Sequence, residues 1–511
     1  MRQANAVDGD ATTRLARAAL MGPLTIELTA QEWQTVAAGH ELLSAAVADG
    51  RPVYGANTPV GAGGSPLTPE SSAEFQSRLV TSYMVGVGTP LSDDVVRTIM
   101  VLKMRGLAEG YSGVRPVVVE HLQAMLNGDC LPIVPSRGSV GASGDLAPLA
   151  HVAGAVMGHG RVRINGVGMS AVDGLARVGL RPLRLEAKEG AALMNGTQAS
   201  TAIALQGLIH AEAVFDAALV AGALTMSALG AQVDVLDDRI HALRRQRGQR
   251  AVAARLRDHL GETPDAVPGS GRPFSQDPYS LRCQPQVLGA ALDLLRLSAS
   301  VITREAGGIT DNPILFADGS IVNGGNFHAQ PIAFAADVMA LALAEVGSIS
   351  DRKIALLVGG GNGLPAGLIA GDGLDMGLKP SHVTASALVA ENRALAAPCG
   401  IDSIPTSGNG QDHVSMATYA ALRVTPVAEN LAAIVAIEML AAAQAADLRG
   451  HRHPTDALRE AHRGVRSFAE VLERDRPLVH EIEAVRSHIL AGGFSSHDES
   501  FYSDDEGEPE G

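Results

Sequence analysis

Long stretches of small apolar residues with a helical period dominate the second half of the chain. They restrict it to an architecture in which helices pack closely on one another. From Gly196 to Gln232, apolar residues recur at i, i+3, i+4 and i+8, for example Leu205, Leu208, Ile209 and Ala213. Similar runs fill Val287 to Gly307, Ile332 to Leu357 and Val427 to Leu448. Several are apolar nearly all round, which suits the centre of a bundle or of an oligomer core. Aromatic residues make up only 3% of the chain and Trp33 is the single tryptophan, so Ala and Gly fill the interior instead of rings. Small side chains let helix axes approach, and the pattern predicts a mainly α fold with a long central helical bundle.

Residues 1–195 read differently, as a smaller mixed region ahead of a bundle core at 196–495. They hold a glycine-rich turn at Gly61-Ala62-Gly63-Gly64, one helix-like run from Asp94 to Asn127, and an irregular Gly/Ser/Pro segment from Pro132 to Pro148. Structured irregular segments of that kind are often functional. Residues 496–511 form an acidic tail: from Asp498 to Gly511 there are seven acids and no Lys or Arg, which predicts disorder.

Several classes of function fall away. The net charge is −15 with no basic patch, which argues against nucleic acid. Three cysteines without CxxC spacing, and no HExxH, give neither a disulfide framework nor a metal site. There is no P-loop, and Gly361-Asn362-Gly363 follows a helical pattern rather than a strand. Ser143 stands in Gly-Ala-Ser-Gly-Asp, where Asp145 replaces the second glycine of a hydrolase elbow. The uncharged stretches Ala217–Val233 and Ile354–Gly371 read as too short and too polar to span a membrane. No apolar leader follows the N-terminal Met-Arg-Gln-Ala-Asn, so a cytoplasmic location is expected.

The informative stretch runs Arg137-Gly-Ser-Val-Gly-Ala-Ser-Gly-Asp-Leu-Ala-Pro-Leu-Ala-His151. Alone, it is a tight turn with Asp145 as N-cap and Pro148 in a first helical turn. As a whole it closely resembles the signature of the histidine and phenylalanine ammonia-lyase family. The resemblance implies that Ala142-Ser143-Gly144 cyclises and dehydrates to 4-methylidene-imidazol-5-one (MIO), with no metal and no nucleotide cofactor. The glycine nitrogen must reach the alanine carbonyl carbon, so Gly144 must tolerate dihedrals that a side chain would oppose. An α-amino acid has a poor leaving group and a weakly acidic β-proton. An electrophile that takes up the amine relieves the first difficulty and leaves the second to a base.

The resemblance extends from about Leu24 to Gly493. Val53-Tyr-Gly-Ala-Asn-Thr58 is similar to the family's Tyr-Gly-x-Asn-Thr loop, which makes Tyr54 the general base; Pro59-Val60-Gly61 departs from the Gly-Phe-Gly that follows there. An ordinary phenol is a poor base at neutral pH, so that role needs surroundings that favour phenolate. Ala192-Leu-Met-Asn-Gly-Thr197 matches the segment whose asparagine, here Asn195, meets MIO and the substrate amine. In Gln276-Asp-Pro-Tyr-Ser-Leu-Arg-Cys-Gln-Pro-Gln286, Arg282 takes the carboxylate-clamp role, Tyr279 a catalytic one, and Gln276 lines the pocket. Phe327, in Asn326-Phe-His-Ala-Gln-Pro331, is placed near MIO, and Thr310-Asp-Asn-Pro313 reads as structural.

Two places bear on the substrate ring. Ser82-Tyr83 stands where histidine and tyrosine lyases carry Ser-His, and Gln411 replaces the acid of the histidine-type Asn-Gln-Glu-Asp-His-Val-Ser-Met. Asp412-His-Val-Ser-Met416 keeps the histidine form. Losing the carboxylate removes a charge-assisted bond to an imidazole N–H, about 1.5–3 kcal/mol. The expected activity is elimination of ammonia from an L-amino acid with an aromatic or heteroaromatic ring, with L-histidine to urocanate as the first substrate. The alternatives are an aminomutase that makes a β-amino acid, a tyrosine or phenylalanine ammonia-lyase, and, more distantly, an inactive scaffold homologue. The family implies a homotetramer with active sites shared between subunits.

Overall fold

A computed structural model of the chain describes residues 9–59, 67–261, 276–360, 363–370, 373–450, 452–495 and 499–502. The Gly61–Gly64 turn, the Val60-Gly61 departure, Gly361-Asn362 and residues 503–511 of the tail lie outside them. In chain order the helices are α1 (Gly9–Leu20), α2 (Ala30–Ala48), α3 (Pro69–Tyr83), α4 (Asp93–Ala108), α5 (Pro116–Asn127), α6 (Leu146–Val156), α7 (Ala171–Arg177) and α8 (Glu189–Met194). Then follow α9 (Gln198–Leu229), α10 (Asp238–Arg244), α11 (Arg247–Leu260), α12 (Tyr279–Arg282), α13 (Gln284–Ala306), α14 (Gln330–Val358), α15 (Lys379–Leu395), α16 (Ala417–Leu448), α17 (Asp456–Arg466) and α18 (Val479–Leu490). The mainly α class expected from the periodicity is what the chain adopts. By contact the chain divides into two compact units.

The first unit comprises Met1–Gln206, Val301–Ala336 and Pro398–Leu422. Here α1 lies on α4, α2 and α5 flank α4, and α3 packs on α6 and α8. α4 is buried nearly all round, from Val95 to Met104. Short antiparallel strands edge the unit: Val87–Pro90 pairs with Pro135–Arg137, and Leu131–Pro132 extends the hairpin of Arg161–Ile164 and Val167–Ser170. The helices begin on side-chain caps. Thr29 and Glu32 form a capping box, with Thr29 N donating to Glu32 Oε2 at 2.7 Å, and Ser92 Oγ accepts from Val95 N at 3.4 Å. The run Asp94–Asn127, expected as one helix, is two. Gly110 at φ +77° ends the first, and a Cβ there would meet Thr35 O at 2.6 Å; Pro116 starts the second at its first turn.

The second unit comprises Gly207–Ser300, Asp337–Ala397 and Arg423–Gly511. Its interior is made of alanine-rich helices at close range. A Cβ on Gly207 would meet Val424 Cγ1 at 2.7 Å, and one on Gly222 would meet Gln284 Oε1 at 2.1 Å. Glycine at position 207 sets how near α9 comes to α16, and glycine at 222 leaves room for the Gln284 amide. A buried pair, Lys353 Nζ to Glu438 Oε1 at 2.8 Å, sits among them, and Glu438 also accepts from Thr225 at 2.9 Å and from Ser350.

Among the described residues four helices, α9, α13, α14 and α16, are long and apolar enough to cross a membrane, although the sequence pattern had suggested stretches too short for that. Their most apolar windows are 83%, 44%, 67% and 83% buried within the protein, so protein contacts cover much of that surface. Phe501 and Tyr502, inside the tail expected to be disordered, are packed. Tyr502 Oη donates to Asp216 Oδ1 at 2.7 Å, and Arg296 Nε to Phe501 O at 2.9 Å. The aromatic pair gives an otherwise acidic segment something to bury.

Candidate functional site

The irregular segment before α6 holds several residues in the left-handed region. Gly141 lies at φ +72°, Ser143 at +52° and Gly144 at +75°. Glycine adopts this freely, but serine does so at a cost. A Cβ on Gly144 would stand 2.0 Å from Gly196 O, and one on Gly141 would stand 2.1 Å from Ser415 Oγ. Both positions therefore require glycine for space as well as for φ. The backbone of the segment is held from two sides. Asp145 N donates to Gly196 O at 2.8 Å and Gly196 N to Ser143 O at 3.3 Å; Met416 N donates to Val140 O at 2.9 Å.

Asp145 precedes α6 as its N-cap, but its carboxylate does not cap that helix. It is wholly buried and accepts four hydrogen bonds: Ser139 Oγ at 3.0 Å, Thr418 Oγ1 at 2.7 Å, Ser200 N at 2.6 Å and Ser200 Oγ at 2.8 Å. A buried carboxylate is tolerated when saturated in this way. These bonds tie the 139–145 segment to the starts of α9 and α16, so Asp145 does more than the N-cap reading gave it.

Gln411 reaches the same segment, with Nε2 donating to Ser143 Oγ at 3.3 Å. Its Oε1 accepts from Thr406 Oγ1 at 2.6 Å and Ser407 Oγ at 3.0 Å, which orients the amide. Asn195 follows α8 as its C-cap and donates through Nδ2 to Asn312 O at 2.9 Å. Asn195-Gly196 is thus the strip that lies along Ser143-Gly144.

Tyr54 is half-buried on a turn anchored by its neighbours: Val53 and Ala56 join the core cluster of Leu43, Ala46 and Leu315. Asn57 closes the turn, accepting from Val53 N at 2.7 Å and donating to Arg51 O at 2.8 Å. Gln76 then links the turn to α8. Its Nε2 donates to Gly55 O at 2.9 Å, and its Oε1 accepts from Ala191 N at 3.1 Å. Wholly buried Gln76 was missed in the sequence, where it is one more polar residue in an amphipathic helix.

Ser82 and Tyr83 end α3. Ser82 is exposed and its hydroxyl bonds Leu79 O at 2.8 Å within its own helix, while Tyr83 is half-buried. Phe327 is half-buried on the turn before α14, beside His328, whose ring stacks on His413 with centroids 5.6 Å apart. Gln276, Tyr279 and Arg282 belong to the second unit and form a group of their own at α12. The Arg282 guanidinium lies 4.6 Å over the Tyr279 ring, and its buried Nε has no hydrogen-bond partner among the described residues. Gln276 and Tyr279 are exposed.

The electrostatics around α8 are set by burial. Lys103 is lowered to about 8, first by loss of water and then by Lys188, against the pull of Asp311 and Asp145. Burial also raises the Glu305 carboxyl, which Thr197 Oγ1 meets at 2.7 Å, and lowers the His151 imidazole. No cluster of metal-ligating side chains occurs among the described residues.

Comparison with known proteins gives one consistent result. The sequence profile of the aromatic amino acid lyases matches residues 11–467. A histidine ammonia-lyase from Burkholderia mallei is 46% identical over 474 residues, 92% of this chain and 94% of the relative. The crystal structure of histidine ammonia-lyase from Trypanosoma cruzi superposes with a TM-score of 0.88 at 33% identity, covering 97% of this chain and 95% of that one. Tyrosine aminomutase from Streptomyces globisporus also gives 0.88, at 32% identity over 96% and 97%.

Proposed function

This chain belongs to the aromatic amino acid lyase family, the MIO-dependent carbon–nitrogen lyases, and from that premise we propose that it eliminates ammonia from L-histidine to give urocanate, using an MIO group made from its own Ala142-Ser143-Gly144. The observation that carries the proposal is the left-handed Ser143-Gly144 pair, in a segment held between Gly196 and Met416 with no room for a Cβ at Gly144. Closing a ring there joins Gly144 N to the Ala142 carbonyl carbon and expels one water. Loss of the Ser143 hydroxyl with its α-proton expels a second. Ala142 is buried, so bulk water does not compete for its carbonyl. The residues present therefore fit the group.

When formed, MIO supplies an electrophile that turns the substrate amine into a better leaving group. The remaining work falls to side chains. Tyr54 Oη takes the β-proton from a turn that Gln76 fixes relative to α8. Asn195 positions the amine. Arg282, whose Nε has no hydrogen-bond partner among the described residues, holds the carboxylate through paired N–H donors, and Tyr279 stacks behind it and takes part in catalysis. Gln276, Phe327, Ser82, Tyr83 and Gln411 line the ring and backbone of the substrate. Exposed apolar residues on the long helices, such as Leu297 on α13, Phe334 and Leu341 on α14 and Tyr419 on α16, support assembly into a homotetramer with shared active sites.

Gln411 gives a second reading some weight. An amide in place of a carboxylate offers an imidazole N–H no charged partner, so a lyase or aminomutase acting on another aromatic ring is the alternative. The test is direct. Intact mass should fall two waters short of the sequence mass, and Ser143→Ala should remove both the deficit and turnover. A panel of L-amino acids, scored for unsaturated acid and β-amino acid, then decides the substrate. An unmodified serine in active protein would end the proposal.

A further inference from the structure

Lys103 lies within α4, buried, and takes no part in the chemistry above. Its ammonium donates to Ala192 O at 3.1 Å and to Asn195 O. These carbonyls belong to the C-terminal end of α8 and the residue that caps it. A helix leaves its last carbonyls there without intrahelical donors, and the end carries partial negative charge. Keeping an ammonium away from water is costly enough to push Lys103 down to about 8. An apolar residue of similar volume would cost less unless the charge were needed.

The surroundings indicate what it is needed for. Asn195 is held twice: its backbone carbonyl by Lys103 and its side chain by Asn312 O. Asn312 is fixed in turn by Asp311 Oδ1, which accepts from Asn312 N at 2.7 Å, while Asp311 Oδ2 pairs with buried Lys188 at 2.6 Å. A cavity of about 10 Å³ adjoins the ammonium, lined among others by Lys103, Ser112, Gln198 and Asp311. That is about the least space that holds one water. Buried Gln198 Oε1, which has no hydrogen-bond partner among the described residues, supplies an acceptor for it.

We infer that Lys103 is a positioning residue: its ammonium, with one water in the adjoining cavity, holds the Asn195–Gly196 strip at the height where Gly196 O receives Asp145 N and lies against Gly144. The inference rests on the proposed role of Ser143. Through that strip Lys103 governs both how readily the 142–144 segment dehydrates and where Asn195 stands toward the substrate. A brace shifts maturation and kcat, whereas a lysine that only filled space would shift melting temperature alone.

The experiment compares the parent with Lys103→Met, Lys103→Gln and Lys103→Arg. It reads the mass of the peptide carrying 142–144, kcat and KM for an amino acid that the parent turns over, and melting temperature. Expected for Met and Gln are an incomplete two-water deficit and a kcat at least about tenfold lower at nearly constant KM. Arginine, which keeps the donors, should recover both readouts to within about threefold. A Met or Gln variant that folds, dehydrates fully and turns over within about threefold of the parent overturns the inference. If neither neutral variant folds, Arg decides: folding with full dehydration and near-parent kcat supports it, and folding with a tenfold loss overturns it. A parent without any deficit would instead sink the function on which the inference rests.

Discussion

The residues proposed to carry the chemistry sit where local preference alone would not hold them. Ser143 sits at φ +52°, a conformation serine seldom adopts, because Gly196 and Met416 hold its segment by the backbone. Tyr54→Phe removes one oxygen from a turn that Val53, Ala56 and Asn57 already hold, so the fold and the two-water deficit should survive while turnover falls by about 10²-fold or more. Steady-state kinetics beside peptide mass checks this; a Phe variant with parental turnover would remove Tyr54 as the base. Gln411→Glu restores a carboxylate beside Ser143. If the ring of the substrate meets that position, the kcat/KM ratio of histidine to other aromatic amino acids should rise by at least about tenfold, the lower end of a charge-assisted bond of about 1.5–3 kcal/mol. An unchanged ratio would place the ring elsewhere.

At the scale of elements, the bundle depends on glycine and alanine at the crossings and on a few saturated charges. Lys353 and Glu438 are both nearly unexposed, and Thr225 and Ser350 complete the carboxylate's bonds. Lys353→Met leaves Glu438 buried and uncompensated, and it should lower unfolding free energy by about 3–5 kcal/mol in a denaturant titration. Adding Glu438→Gln should recover part of that loss. A single variant as stable as the parent would mean that the pair is solvated. The division of the 94–127 run into α4 and α5 belongs to this scale too. Gly110 and Pro116 are visible in the sequence, but hydrophobic periodicity continues past them, and only the closeness of Thr35 O to Gly110 shows why the chain must turn there.

For the whole molecule, pH acts through buried and half-buried histidines. Burial holds His151, His210, His241 and His259 below the ordinary 6.5. Between those lowered values and 6.5 the unfolded chain binds protons that the folded one does not. Their contribution is therefore present above 6.5 and is lost as pH falls through the folded values. Glu305 and Glu345, raised by burial from 4.5, act with the opposite sign in a window that opens just above 4.5. Scanning calorimetry should show the melting temperature falling from pH 7 to about 5.5. A melting temperature that rises over that interval would mean that these imidazoles are charged in the fold.

The sequence alone determined the helical class and pointed to Ala142-Ser143-Gly144 and the candidate residues around it, because periodicity and a long contiguous signature are local properties of the chain. It did not reveal Gln76 linking the Tyr54 turn to α8, Asp145 accepting four hydrogen bonds instead of capping, or Lys103 beneath Asn195. Each of these joins residues far apart in the chain. A buried polar side chain reads in sequence like any surface one, and only the tertiary structure decides which donors and acceptors it will meet once water is excluded.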